Sequence, residues 1–304
     1  SGGSDAGFTV NDAVTLDLSM NDAETTDFGS GVVTVTTTVA VASEPTTVNV
    51  IYNGVGEQPT VTGWSWDDGA LTVTFTTSHF SEFVVITGDE TTVTTETALI
   101  ASLKSGMNVT LDADISRTIT LGDLTNSGYP CADAILIRNG GSLDLAGHTL
   151  TNFNMFVYSC EFSISDSDGN GKMVYDENTI PDIEKPIETS PYVIFGYFVY
   201  VAYGGEAIIN SGNFDSKDVG CVYVEKGTAT IKGGNFDATG ENIRFTLNLY
   251  DANGKNGTAN IVVNGGSFVN YDPTQSNSEN PVKNFVAPGK GVERTETSGN
   301  YVYT

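Results

Sequence analysis

Between Ala13 and Thr87, apolar and polar positions alternate in short runs: AVTLDLS, VVTVTTTVAVA, TTVNVIYN, PTVTGWSW, ALTVTFTT and EFVVIT. A period of two, rich in Val, Thr and aromatic residues and punctuated by Gly, Pro, Asn and Asp, predicts half-buried antiparallel strands. Six or seven such strands make a β-sandwich. GDETTVTT (88–95) reads as a polar linker, and ETALIASLKSG then changes the period. Thr95 is placed to cap a short helix, Leu99, Ile100 and Leu103 share one face, and Gly106 stops it.

After the helix a repeat emerges. GSLDLAGHTL (141–150), GEAIINSGNF (205–214), GTATIKGGNF (227–236) and ANIVVNGGSF (259–268) align without gaps. Positions three and five are apolar in all four. Position eight is Gly in three and His148 in the first; position ten is Leu150, Phe214, Phe236 and Phe268. Second strands precede three copies, as AILIRN, FVYVAY and CVYVEK. Such spacing predicts coils of short parallel strands whose inward residues stack on the same positions of the coils above and below. Glycine at the corner permits a bend that a side chain would obstruct.

Two resemblances follow from these residues. ALTVTFTTSHFSEFVVIT (70–87) resembles the closing hairpin of a small β-sandwich module of gram-positive bacterial surface proteins, with TTSHFSEFVV its most specific part. The repeat resembles the right-handed parallel β-helix of the pectate-lyase-like superfamily. The expected fold is therefore all-β: an N-terminal β-sandwich (1–90), then a right-handed parallel β-helix with a short N-terminal capping helix (91–304) and a loop inserted at about 165–191. The tail GVERTETSGNYVYT resembles the antiparallel finish of such repeats. What the resemblance implies for function is an extracellular, cell-surface, adhesin-like protein that is not an enzyme and binds a glycan or another host or environmental ligand. Relatives with this fold also include calcium-dependent polysaccharide lyases, which is the alternative; a structural stalk is the third reading.

Charge narrows the partners. The formal net charge is −25, and residues 1–103 hold no Lys or Arg. A chain with pI near 4.1 is poorly suited to phosphate backbones or anionic membranes, and no apolar run approaches the roughly 18 residues of a membrane span. Cys131, Cys160 and Cys221 are too few for a disulfide framework and show no zinc spacing.

Three stretches carry candidate chemistry. DSDGNGKMVYDE (166–177) places Asp166, Asp168, Asn170, Gly171 and Glu177 on a calcium-loop template, with Asp166, Asp168, Asn170 and Glu177 as ligands. Calcium would be its cofactor; the other reading is a polar hairpin turn, with KMVYDE as the return strand. PYVIFGYFVYVAYGG (191–205) is aromatic on both faces, and Tyr192, Tyr197, Tyr200 and Tyr203 could form a platform on which sugar rings stack. In a single strand, Phe195, Tyr197, Val199, Val201 and Tyr203 would point one way and Tyr200 and Ala202 the other, and the alternative to a platform is that one face enters the core while the 165–191 insertion covers the other. Trp64 and Trp66 form a similar pair, one expected in the core and one exposed. For enzymatic chemistry, Arg138, Lys226, Lys232 and Arg244 are the basic candidates, while His79 and His148 occupy positions that read as structural.

Overall fold

The computed structural model describes residues 3–5, 8–15, 19–20, 23–24, 31–41, 43–45, 48–52, 59–78, 82–87, 91–117, 134–175, 197–216, 219–238, 245–279 and 281–304. Strand is the dominant element, and the described residues contain two short helices, Glu96–Ser105 and Asp251–Asn256. Neither is long and apolar enough to cross a membrane.

The first part of the chain builds two larger antiparallel sheets beside a two-stranded one, Ser19–Met20 with Ala23–Glu24. Gly3–Asp5, Phe8–Thr15, Glu82–Thr87 and Val48–Tyr52 form one in that order; Val33–Ala40, Ala70–Thr77 and Thr60–Asp67 form the other. The expected alternation is seen in Val33–Ala40, where Val35 and Val39 are buried while Thr36 and Thr38 face outward and hydrogen-bond Thr74 and Thr72 across the ladder. Asp68 and Gly69, both at positive φ, make the two-residue turn between Thr60–Asp67 and Ala70–Thr77. Strands of both sheets contribute to a single cluster that includes Val35, Val50, Leu71, Phe75, Phe83 and Val85.

Ala70–Thr87 is not a hairpin. Its two strands belong to different sheets, and Phe75 meets Phe83 across the core with ring centroids 5.2 Å apart. Period-two patterning specifies which face is buried, not which strand lies alongside. Trp66 is half-buried on the cluster with its indole N–H donating to the Val41 carbonyl (2.9 Å), and Trp64 is exposed.

Thr91–Val93, inside the expected linker, is already a strand of the next layer. Thr95 then caps the helix by accepting from the Ala98 amide, and Gly106 ends it at φ 81. Leu99 and Leu103 are fully buried against the strands that follow.

From Asn108 onward the chain visits three sheets in a fixed cycle. The first holds Thr91–Val93, Asn108–Leu111, Ser142–Asp144, Glu161–Ser165, Gly205–Ile209, Gly227–Ile231 and Ala259–Val263, all parallel. The second takes Ile115–Ser116, Thr149–Thr151, Lys172–Tyr175, Asn213–Ser216, Asn235–Ala238 and Ser267–Val269, and closes with antiparallel Asn300–Tyr303 and Arg294–Thr297. The third holds Ile135–Ile137, Met155–Tyr158, Tyr197–Ala202, Gly220–Val224 and Leu247–Leu249. Inward residues stack in register. Leu150, Met173, Phe214, Phe236 and Phe268 form one column, and the last three rings lie nearly parallel at 4.9 Å intervals. That interval is the natural spacing of neighbouring strands.

Two expectations change here. Phe162, Ile164 and Met173 make a complete coil between the first and second sequence copies, so residues 165–175 belong to the stack and not to an insertion. Leu143 pairs with Ile164, and Ile164 with Ile209, which shifts the first copy by two positions relative to the gapless alignment. The physical reason lies at the corner, where Ala146 (φ 44) and Gly147 (φ 82) add length and Leu145 turns into the core.

Candidate functional site

Side chains of the third sheet that point away from the stacked core form an aromatic column. Leu136, Phe156, Tyr200, Tyr223 and Asn248 are successive register partners on its outer side. Phe156 meets Tyr200 edge-on at 4.9 Å, Tyr200 tilts against Tyr223 at 5.0 Å, and Tyr223 stacks on Tyr197 at 5.3 Å. Each such pair contributes about 0.5–1.5 kcal/mol beyond its buried area. Phe156, Tyr200 and Ala202 make a buried cluster separate from the main core.

Gly220 explains how Tyr197 lies flat. A β-carbon there would sit 2.3 Å from Tyr197 Cε1, so only glycine admits the ring. Asn248 donates to the Tyr197 hydroxyl (2.8 Å), and the Tyr200 hydroxyl donates to Glu225 Oε2 (2.5 Å). Burial raises the Tyr197 and Tyr223 phenols above their ordinary range, which holds both in the neutral form further into alkaline pH.

The column ends in an exposed group. Tyr203 stands one residue past its strand at φ 55, is 53% exposed, and stacks on Tyr158 with centroids 4.3 Å apart. The Arg138 guanidinium lies 4.6 Å over the Tyr158 ring. The expected alternation is thereby corrected. Val199 and Val201 enter the core, Tyr197 and Tyr200 lie outside it, and Tyr203 belongs to the turn. Tyr192 lies outside the described residues, as do Arg244 and His79.

At the corner between the first and second sheets, carboxylates bind backbone. Asp114 accepts from the Thr149 amide (2.8 Å), and Asp144 accepts from the Ala146 (3.0 Å) and Ser167 (2.9 Å) amides. Asp166, buried, accepts from Gly147 (2.8 Å) through one oxygen and from Gly171 (2.7 Å) through the other. The stretch DSDGNG is therefore a corner between sheets. The hairpin reading fails because Glu161–Ser165 and Lys172–Tyr175 pair with different neighbours. Asp168 and Asn170 are exposed on the same turn, and Glu177 lies outside the described residues. No group of three or more His, Cys, Asp or Glu side chains among the described residues is disposed to hold a metal ion. Arg138 leaves the third sheet at a different corner, so the structure does not join it to this acidic turn. His148 sits 3.5 Å from Asp114 Oδ1 at the corner. Cys160 and Cys221 are free.

One polar network gave no sequence signal. Buried Glu279 accepts from the Leu249 amide (2.9 Å) and the Ser278 hydroxyl (2.7 Å) through Oε1, its Oε2 has no hydrogen-bond partner among the described residues, and the Asp251 carboxyl lies close enough to raise its pKa. Tyr271, Ser276 and Ser278 extend it through 2.6 Å hydroxyl contacts. It fastens the irregular segment after Ser267–Val269 to the third sheet. An isolated Glu in TQSNSEN has no periodicity to reveal it.

Comparison with protein-family models, with curated proteins and with solved structures finds no match.

Proposed function

We propose that the chain is a non-enzymatic, adhesin-like protein of a bacterial cell surface, in which an antiparallel β-sandwich carries a right-handed parallel β-helix that binds glycans. The cyclic visit to three parallel sheets supports the helical reading, and the strong right-hand preference of parallel crossovers supports its hand. The acidic balance suits an extracellular surface.

The observation that carries the binding role is the aromatic column ending in Tyr203. A tyrosine in the left-handed region, more than half exposed and backed by Tyr158 and Arg138, is held outward at a conformational cost. Exposed, rigid, π-faced groups backed by hydrogen-bonding partners suit the flat apolar faces and hydroxyl rims of sugar rings.

The test is retention of the chain on immobilised neutral and uronate-containing polysaccharides, with Tyr203→Ala alongside. Retention that falls about tenfold or more in the variant supports the reading. Equal retention of both removes Tyr203 from it, and absence of retention on every polymer leaves the stalk. Unsaturated, ultraviolet-absorbing ends released from uronate polymers would establish the lyase instead.

A further inference from the structure

The outermost strand of the second sheet among the described residues is Arg294–Thr297, and all four of its residues are exposed. It pairs on one side with Asn300–Tyr303 through a tight turn at Ser298 and Gly299, both at positive φ. Glu293 and Thr304 exchange both backbone hydrogen bonds (2.9 and 3.0 Å). Bonded and non-bonded pairs alternate along an antiparallel ladder, so Thr295 and Thr297 also bond inward, while the amides and carbonyls of Arg294 and Glu296 point to the open side. The edge also projects. Val286 adds one layer to the first sheet beyond Ala259–Val263, Asn300–Tyr303 adds the matching layer to the second, and Arg294–Thr297 stands one strand spacing, about 4.8 Å, further out.

An open edge is a template for another strand, and charged side chains usually protect it. Here the two residues that bond outward carry opposite charges. Arg294 and Glu296 lie on one face of the strand, with the Arg294 guanidinium held 4.8 Å over the Tyr301 ring. A second copy of the same edge, laid antiparallel about a two-fold axis, can exchange these outward bonds in only a few registers. An axis through Arg294 sets Arg against Arg, and one through Glu296 sets Glu against Glu. An axis through Thr295 sets Arg294 of each copy opposite Glu296 of the other, each pair exchanging both backbone hydrogen bonds. Opposite charges directly across a ladder attract and like charges repel, so charge selects this last register. We infer that the chain forms a two-fold dimer through antiparallel pairing of Arg294–Thr297 with the same strand of a second copy, which joins the two stacks end to end. The formal charge of −25 on each copy opposes the approach, and salt screens that repulsion.

The experiment is sedimentation equilibrium of the full chain up to about 1 mM in about 0.15 M salt, where a Debye length of about 8 Å screens distant charges and leaves direct pairs. The weight-average mass rises with concentration from 32.1 kDa toward twice that value and no further. Arg294→Glu and Glu296→Arg each weaken the association about tenfold or more, because each sets like charges across both pairs. An equimolar mixture of these two variants restores it to within about threefold, since every pair again joins opposite charges. Glu296→Pro removes an outward amide, spares the inward bonds of Thr295 and Thr297, and abolishes association. Thermal melts verify that each variant is folded. A monomer at every concentration overturns the inference. So does association that is unchanged by either charge reversal, that the mixture fails to restore, that survives Glu296→Pro, or that grows beyond a dimer.

Discussion

The Gly147 amide donates a 2.8 Å hydrogen bond to the carboxylate of Asp166, one coil further on, and the other oxygen of that carboxylate takes the Gly171 amide. A single buried side chain thus ties the corner of one coil to the corner of the next. Asp166→Ala removes both acceptors and should cost about 1–3 kcal/mol for each amide left without one. Urea unfolding measures the loss, and a change under about 0.5 kcal/mol would show that water replaces the carboxylate freely.

The same geometry bears on calcium. With both Asp166 oxygens facing amide donors, calcium added after chelation should move the melting temperature by less than about 1 °C. Asp168→Ala should be equally silent. A calcium-dependent rise abolished by Asp168→Ala would return the turn to metal binding.

The stacked rings of Phe214, Phe236 and Phe268 predict an unequal response to truncation. Phe236 is sandwiched on both sides, and Phe236→Ala should cost about 3–5 kcal/mol. Phe236→Leu retains most of the volume and should cost less than half as much. Equal losses in thermal melts would mean that ring stacking, and not filled volume, sets the stability of the column.

How much of this was legible in the sequence depended on whether spacing was constant. Phe214, Phe236 and Phe268 each follow an apolar strand residue by five positions, so their column was readable. Met173 follows Ile164 by nine positions across the Asp166 corner, and its coil was hidden because corner length is free while strand register is not. Thr95 and Gly106 marked the helix through local capping, which needs no tertiary information. Tyr203 was readable as an aromatic residue but not as a turn residue. Its left-handed backbone and its stack on Tyr158 depend on the neighbouring coil. Glu279 was invisible for the same reason, since its partners Leu249 and Asp251 lie on a different element.

Glu279 predicts a pH dependence. Burial and the neighbouring Asp251 carboxyl raise its pKa above the ordinary 4.5, against the hydrogen bonds from Ser278 and Leu249 that lower it. The phenols of Tyr197, Tyr223 and Tyr271 also face it and stay neutral. A group that holds its proton more tightly when folded contributes stability that is whole below the unfolded value and is lost as pH rises through the folded one. Glu279→Gln, which retains a neutral acceptor and donor, should flatten that decline in melts run upward from pH 4.5. An identical pH profile in the variant would remove Glu279 as its source.

Tyr203 allows function to be separated from stability. Tyr203→Gly relieves the left-handed backbone, worth about 1 kcal/mol, while losing the stack on Tyr158, worth a similar amount. The melting temperature should therefore stay nearly constant while polysaccharide retention falls. A large drop in stability would make Tyr203 a structural residue.

The 4.9 Å interval between Phe rings also governs the outer surface, because inward and outward residues ride on the same strands. The molecule is in this sense a ruler whose graduations are fixed by backbone hydrogen bonding and not by the side chains displayed on it. A polymer lying along the stacking direction meets a new row at every mark, and one with a mismatched period falls out of step after a few units. Discrimination between long chains could then arise from accumulated phase error, with no single contact needing to be selective.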